Sequence, residues 1–368
     1  MSGELARSSQ ALFLSGVATH HTQFRVGGVS VRVAGSAAAD VRLVSSLRLF
    51  GVEPGISDVQ IQVRRTSSWH EPTRTKLFDS GSVWRLYEDD CGFRFDFSTP
   101  AMGETCYKSL IVDEEFRHAT LLVNDQSSVT GRRHFADPLD YPLDELLIMH
   151  RLTQEKAIEL HACGIVRADG TGNLFVGHSG AGKSTTTRLW TAREDVEVLS
   201  DDRIIVRRDE VRRDEVRRDE VRNEEPGNQR AVDPPFQAAG GADEHGVVRL
   251  RHCSALPSNR SAQQDKGKSR MRMYGTPWHG EAMYASPGSA PLARIFILEH
   301  GQGNVLTRLS PSQAVGELFA RSFVPFHRHE YVDSALEFLQ EVVDAVPCYR
   351  YSFEPDQRAV DRILDFRD

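Results

Sequence analysis

Residues 173–190 read NLFVGHSGAGKSTTTRLW, and the reading of the whole chain turns on them. An apolar lead-in runs into a glycine-rich loop, then a lysine, a run of hydroxyls and a helix-like stretch. Gly177, Gly182, Lys183 and Ser184 satisfy the pattern G-x-x-x-x-G-K-[ST] in full. Such a loop cradles phosphates with its backbone N–H groups, while the lysine reaches the terminal oxygens and the hydroxyl binds Mg²⁺. Gly180 lets the backbone approach the ligand without a Cβ in the way. Ser179, Ala181 and Thr185 complete the expected nucleotide-contacting segment. The pattern is specific because its context fits: a predicted strand precedes it and a predicted helix, STTTRLWTA, follows.

After one helix comes VEVLSDDRIIV (196–206), a β-rich apolar run that presents Asp201 and Asp202 together. One carboxylate suits a Mg²⁺ ligand. A second beside it suits a general base that takes a hydroxyl proton during phosphoryl transfer. Side by side they repel, which raises one pKa unless a cation compensates. YGTPWHGE (274–281) is a second dense stretch: His279 and Glu281 offer acid–base or Mg²⁺ chemistry, and Tyr274 or Trp278 a stacking surface. Arg203 and Arg294 are candidate phosphate contacts. His161 by itself reads more readily as a buried, hydrogen-bonded strand residue than as a functional one. His327 and His329 in FHRHE read as a solvated turn, as do His20 and His21 near the start.

Taken together, LHACGIV, LFVGHSGAGKSTTTRLW and VEVLSDDRIIV resemble the HPr serine kinase/phosphorylase family. Its catalytic domain has a phosphoenolpyruvate-carboxykinase-like P-loop fold. The resemblance is strong over about 159–206 and extends to 271–368 in layout. It implies an ATP- and Mg²⁺-dependent kinase that phosphorylates a hydroxyl, serine on a peptide or protein or a small molecule. His161 would lie near the transferred phosphate, Lys183 and Ser184 on phosphate and metal, and Asp201 and Asp202 would serve as metal ligand and base. Two positions depart from the family: Thr185 stands in place of a glutamate, and YGTPWHGE in place of a glycine-rich arginine signature. The residues leave two rivals open, a nucleotide-binding scaffold or switch without transfer and a simple P-loop ATPase.

Around this centre the chain divides. Residues 1–139 show period-two alternation, as in QFRVGGVSVRVAG (23–35) and DVQIQVRR (58–65), and predict a β-rich domain. DYPLDELLIMHRLTQEKAI (140–158) shifts to helical spacing, with Leu143, Leu146, Leu147 and His150 on one face and Asp144 and Glu145 in the first turn. It opens an α/β domain over 140–368. Three copies of RRDEV (207–221) begin a core-poor segment, 207–270, read as a disordered insertion near the mouth of the site. Five residues advance a helix by about 140°, so the repeat's valines form no stripe. VVRLRH (247–252) is a candidate strand within it. ARIFILE reads as a buried strand, and two amphipathic helices follow, one capped at Ser310 or Ser312. A strand in CYRYSFEP and a helix from about 356 close the chain.

The bulk numbers agree: 39% hydrophobic residues, low for a compact chain, fit a core diluted by such a segment. A net charge of −7 provides no electrostatic drive toward nucleic acid or an anionic membrane. Five scattered cysteines form no CxxC pair and suit reduced, cytoplasmic thiols. ALFLSGVA (11–18) is too short to span a membrane. The expected partners are a nucleotide and a hydroxyl acceptor, with a homo-oligomer compatible with the sequence.

Overall fold

Each alternating stretch of the first third can bury one row of side chains on one face, and each folds as a strand. The structure is a computed structural model and describes residues 19–99, 106–124, 137–192, 195–209 and 270–367. Within these, eight strands form the first sheet: β1 (His20–Val26), β2 (Val29–Gly35), β3 (Val59–Thr66), β4 (Lys76–Asp79), β5 (Trp84–Asp89), β6 (Gly92–Phe97), β7 (Lys108–Asp113) and β8 (His118–Asn124). Their spatial order is β1-β2-β3-β8-β7-β6-β5-β4, with β3 parallel to both its neighbours. Gly27 and Gly28 turn the β1–β2 hairpin at φ 57° and 82°, the positive pair that a tight two-residue turn needs.

Helix α1 (Leu143–Leu152) ends earlier than its periodicity suggests, because Ala157 already opens a strand. Leu143, Leu146, Leu147 and His150 are buried as expected, but so are Asp144, Glu145 and Arg151. The leucines belong to the same apolar cluster as the first sheet, and that cluster continues into Ile205 and Trp278. The two parts of the chain therefore share a core at their seam.

The second sheet contains β9 (Ala157–Val166), β10 (Gly172–Val176), β11 (Glu197–Ser200), β12 (Arg203–Asp209), β13 (Arg270–Gly275), β14 (Ser289–His300), β15 (Val305–Arg308), β16 (Ser322–Phe323) and β17 (Cys348–Phe353). The pairings β10–β9–β12–β13–β14 close on themselves through a parallel β10–β14 contact, making a small barrel that β17 and β15 extend. Alternation along β10 sends Leu174 and Val176 to one core and Phe175 to another. The first core includes α3 (Pro311–Phe319) and α4 (His329–Ala345). The second includes Trp190 of α2 (Lys183–Thr191) and α5 (Gln357–Leu364). Ser310 caps α3 in a reciprocal box with Gln313, and Asp356 caps α5.

Both edges of β9 change partner near His161. On one edge β12 pairs Ala157–His161 and β11 pairs Gly164–Val166. On the other, β16 pairs Glu159–Leu160 and β10 pairs Ala162–Val166. The apolar run 196–206 is thus two strands, broken at Asp201–Asp202.

The segment read as disordered over 207–270 is narrower in its described part, since β12 reaches Asp209 and β13 starts at Arg270. Residues 210–269, with VVRLRH, lie outside the described residues, as do ALFLSGVA and Cys253. The expected placement of the segment near the site mouth falls on residues outside the described ones; the strands that flank it end at Asp209 and Arg270, which pair directly, six strand positions from Arg203 and so about 20 Å along the strand from the aspartates. Replacing 210–269 by a two-residue Asn-Gly turn is expected to leave the melting temperature and nucleotide affinity unchanged in calorimetry.

His327 is also corrected. It is not a solvated turn residue but packs edge-on against Phe93 and Tyr331 and beside His150, which stacks on Phe116. His329 is exposed. Burial, followed by the neighbouring imidazole, lowers His150 to about 3; burial, followed by the Arg328 charge, lowers His327 to about 4, both from 6.5. Between pH 6.5 and those values the unfolded chain binds protons that the folded chain refuses, so these groups withdraw stability as the pH falls. Relative to His150→Phe, the wild type should lose about 2 kcal/mol of unfolding free energy between pH 7 and pH 5, read by denaturant titration at both values.

Candidate phosphate-binding site

β10 runs antiparallel to β9 and delivers Gly177 beside His161, whose carbonyl accepts the Gly177 N–H at 3.2 Å. The loop then turns through Gly180 (φ 81°) into Gly182 (φ 100°), the residue that caps α2. Gly182 is required twice over: its φ is left-handed, and an added Cβ would lie 2.5 Å from Cζ of Phe353. Lys183 is 6% exposed and donates to the carbonyls of Gly177 and His178 at 3.1 and 3.3 Å. Burial, opposed by Asp202, lowers its pKa. Ser179 and Gly180 are exposed, and Ala181, Ser184 and Thr185 half-buried, so the loop and the first turn of α2 border solvent.

The two aspartates have different environments. Asp201 is 1% exposed and accepts three backbone N–H groups, from Gly280 (3.1 Å), Ala282 (2.8 Å) and Tyr284 (3.2 Å). Three of a carboxylate's roughly four lone-pair sites are then taken. Asp201 is an anchor for the 276–284 loop, where the sequence reading made it a magnesium ligand or the base. Asp202 turns toward the glycine loop. Its Oδ1 lies 2.9 Å from Nε2 of His161 and 3.9 Å from Nζ of Lys183, and its Oδ2 is bonded by Arg203. Burial raises the Asp202 pKa, but the His161 hydrogen bond and the Arg203, His161 and Lys183 charges outweigh it and hold the group below the usual value.

Arg203 is engaged by acids and is not a free phosphate contact. It donates to Glu145 at 2.8 Å, lies 3.5 Å from Glu159 and covers the Phe323 ring at 4.1 Å. Burial and the adjacent Glu145 push Glu159 well above the carboxylate range, toward its protonated form. Trp278 donates its indole N–H to Asp144 at 3.0 Å. Burial raises Asp144 to about 6, against that hydrogen bond. The first-turn acids of α1 are therefore interior braces for Arg203 and Trp278, not surface partners of the helix dipole.

Asp202, His161 and Lys183 converge. His279 and Glu281 flank Gly280, where an added Cβ would lie 3.2 Å from Cβ of Asp202; His279 is half-buried beside the Gly280 carbonyl at 3.2 Å and Glu281 is exposed. Trp278 is buried and bonded, and Tyr274 packs against the apolar cluster of the first sheet and α1, so neither offers an open stacking face. Arg294 pairs in register with Asn173, at the opposite end of β10 from the loop, and lies over Phe366 at 5.5 Å. Among the described residues no three His, Cys, Asp or Glu side chains converge as a cation cage. A P-loop magnesium needs only one or two protein oxygens beside phosphates and water, and the half-buried Ser184 hydroxyl at the start of α2 fits that role.

Sequence reasoning missed Glu145, Glu159, Arg321 and His300. Arg321 accepts the His161 N–H on its carbonyl at 2.8 Å, and its charge is the main cause of the lowered pKa of His178 in the loop. His300 hydrogen-bonds the Gly180 carbonyl at 2.6 Å. Its signal was its place at the end of the ARIFILEH strand, where ligands of α/β sheets gather. A scan against protein-family models finds no match, and a search of curated proteins finds none either. No helix among the described residues is long and apolar enough to cross a membrane.

Asp201→Asn puts an NH₂ group against backbone donors, and should lower stability by about 2 kcal/mol in denaturant titration. Asp202→Asn leaves Arg203 paired to Glu145, and should cost less than about 1 kcal/mol. Equal losses in the two variants would contradict this division of roles.

Proposed function

We propose that this protein is a phosphotransferase of the HPr-kinase-like type, moving the γ-phosphoryl group of ATP to a hydroxyl, that of a serine or a small alcohol. One observation carries the reading: a carboxylate hydrogen-bonded to a histidine stands 3.9 Å from the lysine of a phosphate-binding loop. An acid so placed and oriented can take the proton of an acceptor hydroxyl beside the terminal phosphate.

In this reading Lys183 leaves the Gly177 and His178 carbonyls for the terminal phosphate oxygens, and the loop's N–H groups hold the remaining phosphates. Mg²⁺ would be held by the Ser184 hydroxyl and would supply neutralisation of the phosphate charge. Asp202 takes the acceptor's hydroxyl proton as its oxygen bonds to the γ-phosphorus and the bond to the β–γ bridging oxygen breaks. ADP leaves with that electron pair. The low pKa of Asp202 keeps it ionised at neutral pH. Phosphoryl transfer asks little of a base beyond orientation, because its transition state is loose. His161 fixes the orientation through Oδ1, and Arg203 through Oδ2.

The test is ADP formation with Mg²⁺ and a pool of hydroxy compounds and serine peptides, wild type beside Asp202→Asn. Acceptor-dependent turnover should fall at least about a hundredfold in the variant, with ATP affinity within a few fold. Acceptor-independent phosphate release that survives the substitution would instead indicate a plain ATPase. ATP binding without turnover on any acceptor would favour a switch.

A further inference from the structure

β10, β14 and β17 run parallel and end side by side, so the glycine loop, His300 and Phe353 leave the sheet at one edge. The imidazole of His300 stacks on Phe353 with centroids 6.1 Å apart and 25° between planes; Phe353 stacks in turn on Tyr351 at 5.7 Å and 23°. Tyr351 and Phe353 are buried, whereas His300 is exposed. The column of rings therefore emerges from the core and ends in solvent beside the loop.

The last ring is held in place. A carbonyl only accepts, so the 2.6 Å contact to Gly180 requires the hydrogen on Nε2. Cε1 of the same ring lies 3.7 Å from where a Cβ on Gly182 would stand. The chain after it is fixed as well: the Gly301 N–H donates to the Phe353 carbonyl at 3.3 Å, and the Asn304 side-chain oxygen accepts the Glu354 N–H at 2.9 Å.

We propose that His300 is the stacking platform for the base of a nucleoside triphosphate whose phosphates occupy the glycine loop. The inference rests on the nucleotide reading of that loop and adds the group that tells a nucleotide from a bare polyphosphate. A flat ring beside the loop gives any base a π-face. Because the hydrogen bond to Gly180 and the ring beneath already hold it, little rotamer freedom is lost on binding. The same bond also braces the loop, so the two roles must be separated.

Two variants of the full chain do this. His300→Gln can still donate to Gly180 but has no ring; His300→Phe has a ring but cannot donate. Affinities for Mg-ATP and Mg-tripolyphosphate are measured on each, and the preference for ATP is the ratio of the two dissociation constants. That preference should fall about tenfold in His300→Gln and stay within about threefold of wild type in His300→Phe. An unchanged preference in His300→Gln, or an equal loss in both variants, overturns the platform. If wild type binds neither ligand, the nucleotide reading fails first and takes the platform with it. If wild type binds both equally well, the loop's reading stands and the platform does not.

Discussion

At any residue a strand can hydrogen-bond one neighbour on each edge, and β9 exchanges both of its neighbours at the same level. β12 gives way to β11 on one side as β16 gives way to β10 on the other. Each exchange leaves chain ends that must turn away from the sheet, and they turn away at His161. The glycine loop departs there, the aspartate turn sits across from it, and Arg321 arrives from α3. Open α/β sheets hold their ligands where strand order forces connections apart. Here that fork occurs along one strand, inside a small barrel.

The fork explains why two adjacent carboxylates have unlike fates. The bend between β11 and β12 sends the two side chains different ways, and only Asp202 faces the glycine loop. The other is turned into the protein, where a buried carboxylate is tolerated only if it is well hydrogen-bonded. The 276–284 loop supplies those bonds. Behind Asp202, Arg203 is surrounded by Glu145, Glu159 and the Phe323 ring. The raised pKa of Glu159 relieves what would otherwise be a surplus of buried negative charge around one guanidinium.

Local signals were legible in the sequence. The strand, loop and helix around Lys183, the cap at Ser310 and the closing helix from about 356 each depend on residues close in the chain, and each stands where it was expected. β4 and β7 carried weak alternation and were not singled out. The break at Asp201–Asp202 was invisible within an apolar run, because N–H groups some eighty positions away hold it. Trp278 and His327 misled for a related reason: a polar aromatic residue in a loop reads as exposed until a distant partner is known. For Trp278 that partner is Asp144, for His327 the rings of Phe93 and His150.

The site accordingly assembles on two length scales. Its glycine loop lies within one uninterrupted stretch, Gly172–Thr191, beside β9 and braced by His300 and Phe353. Its acid is set by contacts of very different reach: Arg203 to Glu145 spans 58 positions and Trp278 to Asp144 spans 134. Both bonds reach back to α1 and hold only while that helix is packed on its core. Loosening α1 from its core would therefore leave the glycine loop in place while releasing the braces of Asp202, so that in the function proposed above grip on the phosphates would outlast chemistry upon them.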